Sequence, residues 1–209
     1  RLPVGPRRGR FSAVPALRYS PLRPTSTSLD RLRITSEDQG LTYRGVGGSA
    51  TGAHPAGYHT HSSELTVDAE WDSAREAIRR WAGHRSVGGV LSPAMPPLDV
   101  GSTMTFGIRV LGVWATGACR IVNVIDEERD FGFSYGTLPH HPEEGEEMFA
   151  VRDNRDGSVT FRVVAFSKPA GLLTTLIGPL GQLIQRVMTS RYLVGFAAYA
   201  TSVPSAPRR

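Results

Sequence analysis

Cysteine is almost absent from these 209 residues: a single Cys119 can form neither an internal disulfide nor a Cys-rich zinc site. Nowhere does the chain run for the ~18–20 consecutive apolar residues that a membrane-spanning helix needs. Basic surface is scarce too, once the ends are set aside. Residues 1–35 hold eight arginines against one acid, Asp30, and Arg208 and Arg209 close the chain. Removing both ends from the net charge of +5 leaves 36–207 at −4. A nucleic-acid groove wants Lys and Arg clustered on the folded surface with aromatics between them. The body of this chain does not supply that, so no specific nucleic-acid partner is expected.

What is present fits one globular domain. The hydrophobic fraction is 40% and the charged fraction 21%, near the globular average, and the length suits one domain with tails. The Arg-, Pro- and Ser-rich segment 1–36 has few large apolar residues and no periodicity, so it reads as a disordered tail. Five prolines between Pro3 and Pro24 argue against an amphipathic targeting helix there. The expected division is a tail over 1–36, one domain over 37–200 and a second tail over 201–209. Cytoplasmic residence follows by default.

Periodicity places the elements. Residues 59–67 read as a strand, and Trp71, Ala74, Ile78 and Trp81 fall at the spacing of a buried helical stripe over about 69–83. Five strands follow, at 102–113, 114–126, 131–137, 146–152 and 158–167, without crossover helices between them. That order predicts an antiparallel meander. An interrupted helix over about 170–198 carries a wide apolar face that only a curved sheet is large enough to cover. The fold class is therefore α+β: a curved antiparallel sheet wrapped around a long C-terminal helix, with one short helix after the first strand. A pocket is expected where helix and sheet do not meet.

Three motifs fail on context. Gly45-Val46-Gly47-Gly48-Ser49-Ala50 matches the dinucleotide fingerprint, but Gly52 and Pro55 follow where the helix should start. Gly132-Phe133-Ser134-Tyr135-Gly136 matches the nucleophile elbow, yet its flanks alternate as one continuous strand. Its small residues are expected where a helix packs on the sheet. His140 and His141 precede four glutamates, but adjacent residues of an extended chain point apart. That run is expected to be a solvated acidic loop, and neither a metal nor a cofactor is expected.

Glu147 stands out within it. Sharing parity with Phe149 and Val151, it points inward if they do, where burial disfavours ionisation unless a partner is present. Arg120, on an otherwise apolar strand, is the expected partner.

The run Phe131 to Glu147 resembles an uncharacterised bacterial and plant family, domain of unknown function nineteen-ninety. Leu41-Thr-Tyr43, Pro55-Ala-Gly-Tyr58, Cys119-Arg-Ile-Val122, Asp156-Gly-Ser-Val159, Ala165-Phe-Ser-Lys-Pro169 and Arg191-Tyr192 extend the resemblance over roughly 41–198. It implies one small soluble domain with no established activity or catalytic residues. The family more often has alanine at position 134 and glycine at 140. The element order is similar to the helix-grip architecture of START-like and pollen-allergen-like proteins.

Three functions stay open. The first is a binding module for a small apolar or aromatic molecule, walled by Phe106, Phe133, Tyr135, Phe161 and Leu183 and read by Arg120 and Glu147. The second is an acid/base enzyme on the same pocket (a cyclase, dehydratase or hydrolase), with Glu147, His141 or Tyr135 as its catalytic groups. The third is an interaction protein acting through the basic N-terminal tail. The sequence leaves the oligomeric state open.

Overall fold

The computed structural model describes residues 19–170 and 172–202, with all of their side chains except those of 172–180 and 182. Strand alternation builds one antiparallel sheet. Its strands are β1 (Tyr19–Ser20), β2 (His59–Asp68), β3 (Val90–Ser92), β4 (Thr103–Val110), β5 (Val113–Asp126), β6 (Asp130–Thr137), β7 (Glu143–Asp153) and β8 (Ser158–Pro169). The order is β2-β8-β7-β6-β5-β4-β3, with β1 added to the free edge at the start of β5. Six consecutive strands, β3 to β8, pair with their sequence neighbours, the expected five-strand meander with β3 added at its edge, and β2 closes the far side against β8.

The helices are α1 (Ser26–Ser36), α2 (Gly48–Thr51), α3 (Trp71–Arg79), α4 (Ala82–Ser86) and α5 (Leu172–Ser202). Among the described residues no helix is long and apolar enough to cross a membrane. The inner face of the sheet carries Met104, Phe133, Phe149, Val151 and Phe161, all but inaccessible to solvent. Trp81 and the C-terminal half of α5, with Tyr192 and Phe196, fill the space above them. Phe161 stacks on Phe196 with ring centroids 5.8 Å apart, and Trp81 lies 4.4 Å from Phe133.

Three expectations change here. The helix expected over 69–83 is two helices, because Trp81 adopts a left-handed backbone, φ 55°, that turns the chain between α3 and α4. Its indole N–H donates to the Pro96 carbonyl at 3.0 Å. Second, the run 143–147 is not a solvated loop: it opens β7, and Glu146 is only 2% exposed.

Third, the tail expected over 1–36 is ordered over at least its second half. Thr25 caps α1 by accepting the Ser28 N–H, and Leu29 is 1% exposed against the outer face of the sheet. Thr105 donates to the Leu29 carbonyl at 2.8 Å and Ser92 to the Asp30 carboxylate at 2.8 Å. Composition missed this because one buried leucine and tertiary hydrogen bonds hold α1, not an apolar face of its own. Residues 1–18 and 203–209 lie outside the described residues. So α1 covers the outside of β3–β5, and the segment with α2 covers the outside of β6–β8. The sheet is clad on both faces, which is why β5 reads as apolar on both.

Candidate functional site

The parity of β7 decides which acid goes where. Glu143 and Glu147 share the inner face with Phe149, while Glu144 and Glu146 turn outward. Opposite Glu147 in the register is Tyr135 of β6, and its hydroxyl donates to the Glu147 carboxylate at 2.7 Å. Burial pushes the Glu147 carboxyl up to about 7; the Tyr135 hydrogen bond opposes the shift and the nearby Glu143 adds to it. Burial likewise raises Glu143, against a hydrogen bond from Ser167 and the proximity of His59. The Tyr135 phenol is held well above its ordinary range by burial first and by the Glu147 charge second. A carboxyl that titrates near neutrality can take up or give a proton at physiological pH, the condition for general acid or base work.

A small half-open space adjoins this pair. It measures about 30 Å³, and Tyr135, Thr137, His141, Glu143, Glu147, Ala165, Ser167 and Gln185 are among the residues that line it. That is room for one or two waters. The Gly145 N–H donates to Thr137 at 2.9 Å, and Gln185 of α5 reaches Ser167 at 3.4 Å. His141 sits at the rim, its Nδ1 accepting the Glu143 N–H at 3.0 Å and its ring 5.4 Å from Phe106. Behind Tyr135, away from the cavity, His84 is buried with Nε2 3.5 Å from the Tyr135 hydroxyl. Its pKa is depressed to about 3 by burial alone, so the imidazole is neutral. Among the described residues no three metal-capable side chains cluster.

The expected site residues therefore divide. Tyr135, Glu147 and His141 converge on the cavity. Phe133 and Phe161 belong to the solid core and present no wall to it. Phe106 touches it only through His141. Leu183 is 55% exposed on the far side of α5 and lines nothing. Arg120 is not the partner of Glu147: strand alternation sends it to the outer face. There it donates to the carbonyls of Gln39 at 2.9 Å and Glu37 at 2.7 Å, closing the end of α1.

The outer face holds an arrangement the sequence reading did not assemble. Glu146 accepts hydrogen bonds from the Tyr43 hydroxyl (2.7 Å), the Gly47 N–H (2.8 Å) and the Ser49 N–H (3.0 Å), with the Ser49 hydroxyl as a fourth donor. The Ser49 hydroxyl oxygen also lies 3.0 Å from the Ser134 hydroxyl, from which it can accept. The glycine-rich run that mimics a phosphate-binding fingerprint thus does cradle an anion, but an internal carboxylate. The small residues of β6 make room for this clasp, which includes the short helix α2: Ser49 of α2 sits on Ser134, and a methyl group at Gly136 would fall 2.6 Å from the Tyr43 ring. The fingerprint itself was the available signal; nothing local said that its anion was 100 residues away.

Residues 42–194 match the family model for domain of unknown function DUF1990. The chain belongs to this family. A UPF0548 protein of Deinococcus radiodurans is 29% identical over 178 residues, covering 78% of this chain and 89% of the relative. Another, from Dictyostelium discoideum, is 33% identical over 101 residues, 43% of this chain and 47% of the relative. Solved structures share the fold at far lower identity. The Zhui aromatase/cyclase from Streptomyces sp. R1128 superposes with a TM-score of 0.54 at 10% identity, over 69% of this chain and 94% of that one. A START superfamily protein from Mycobacterium smegmatis gives 0.52 at 9%, over 71% and 100%. The DUF1990 chain thus has the helix-grip architecture of the START-like proteins.

Proposed function

We propose that this DUF1990 domain binds a small molecule between the sheet and the N-terminal half of α5, with Glu147 and Tyr135 as its polar readers. The observation that carries the reading is the inward carboxyl–phenol pair, which faces a cavity instead of being packed over. Ligand pockets commonly measure about 300–1,000 Å³, so a cavity of about 30 Å³ has to widen on binding. Phe196, in the C-terminal half, packs directly against Gly83 of α4. The N-terminal half contains Gly178, Pro179 and Gly181, residue types that weaken a helix. Outward movement of that half opens the cavity toward an apolar or aromatic ligand, whose polar group meets Glu147.

The test is native mass spectrometry of protein purified from its own host. A bound small molecule is expected, and it should be lost in Ala165→Leu, which fills the cavity directly across the strand pair from Glu147 while leaving every polar residue unsubstituted. Protein that carries no adduct and shows no shift on titration with an aromatic ligand library would count against the reading.

The neutral-range titration of Glu147 favours a second reading on the same site, acid/base catalysis. There Glu147→Gln abolishes turnover of the bound molecule and leaves its affinity nearly unchanged. Equal turnover in wild type and variant removes Glu147 as the proton-transferring group.

A further inference from the structure

Helices that are apolar on every side are normally enclosed on every side. α5 is not. Its buried face carries Thr189, Tyr192, Leu193, Phe196 and Ala200. Its opposite face leaves Leu183 55%, Val187 43% and Val194 60% exposed, at spacings of four and seven that keep them in one line about 16 Å long. The only charged residues of this 31-residue helix are Arg186 and Arg191, both exposed and flanking that line on opposite sides, Arg186 toward His61 of β2, and it contains no acidic residue.

The pattern continues past the helix. An open groove of about 540 Å³ runs beside Val194, lined by Arg80, Arg85, Met95, Ala198 and Tyr199. Met95 is 46% exposed. Arg80 engages Glu76 at 2.6 Å, and Arg85 is held over carbonyls, its Nε donating to the Arg80 carbonyl at 2.9 Å. Of the side chains named on this surface, Glu76 is the one carboxylate, and it is already paired.

We propose that the solvent face of α5, continued by the Arg80–Arg85 groove, docks onto an anionic phospholipid surface. Charge selects the partner. A second copy of the chain packed through this face would set arginine against arginine, with no acid on α5 to meet them. A nucleic-acid backbone would match the arginines and leave Leu183, Val187 and Val194 in water. An anionic bilayer interface meets both needs: headgroups for the guanidinium groups and the acyl boundary for the apolar line. The inference is independent of what occupies the cavity.

The test is co-sedimentation of the full-length chain with phosphatidylcholine vesicles, with and without phosphatidylserine. Binding is expected only with phosphatidylserine, and should fall as salt screens the arginines. Arg186→Gln should weaken partitioning about fivefold, and Arg186→Gln with Arg191→Gln about 25-fold. Val187→Ser should weaken it too, with melting temperature unchanged because the residue is exposed. The proposal is overturned if phosphatidylserine makes no difference. It also falls if vesicle binding is indifferent to all three α5 substitutions, which would assign it to the N-terminal arginines. A dimer in sedimentation velocity that Val187→Ser dissociates, without vesicle binding, would make the face a self-interface instead.

Discussion

Glu146 and Glu147 are neighbours in the chain and part company because a strand sends successive side chains to opposite faces. Glu147 meets one hydroxyl and a cavity; Glu146 meets four donors. Their substitution by glutamine should therefore have opposite effects. Unfolded, Glu147 releases its proton near 4.5; folded, near 7. Between those values the folded chain keeps a proton that the unfolded chain has lost, so stability falls as pH rises through that window. The steepest loss is about 1.4 kcal/mol per pH unit. Glu147→Gln is expected to melt above wild type at about pH 8 and close to it at about pH 5, measured by thermal denaturation at both. An equal difference at the two values would mean that burying the ionised carboxylate is not what limits stability there. Glu146→Gln presents an amide N–H₂ where donors already converge, and is expected to cost about 3 kcal/mol in denaturant titration. At this scale the inward parity of Glu147 was legible, since Phe149 and Val151 announce it. Its partner was not. Register across strands chose Tyr135 over Arg120, and register is a long-range property.

Elements follow the periodicity closely where local pattern and burial agree. β2, β5, β6 and β8 lie within two residues of their expected limits, β4 ends three residues early, and α5 extends four residues past its expected end. The misses fall where tertiary contacts override local signals. Trp81 breaks a continuous apolar stripe because its indole is anchored to Pro96, which lies beyond α4. Gly83, expected to end a helix, instead allows α4 to approach α5. A methyl group there would sit 2.7 Å from the Phe196 ring and 2.8 Å from the Tyr192 carbonyl. Gly83→Ala is accordingly expected to force α4 and α5 apart and cost about 2 kcal/mol, read from the denaturation midpoint. An unchanged midpoint would show that the contact relaxes freely.

For the whole molecule, the consequence of two-sided cladding is that the N-terminal segment is structural. A chain begun at residue 37 loses the burial of Leu29, worth about 2 kcal/mol. It also strips Arg120 of the Ser36 carbonyl it reaches at 3.2 Å and Thr105 of the Leu29 carbonyl. Such a truncation is expected to melt well below the full chain, with urea titration as the check; a chain of undiminished stability would return this segment to the status of a tail. The amino-acid sequence by itself determined the meander of β4 to β8, the closing helix and the inward turn of Glu147, because each rests on a period of two or near 3.6 read over adjacent residues; the family showed in the residue runs it shares. Only the tertiary structure decided which half of the hollow is solid, where Arg120 and Leu183 lie, and that the Gly45–Ser49 loop grips Glu146. Those outcomes rest on packing and hydrogen bonds between residues as many as 100 positions apart, which leave no trace in local spacing.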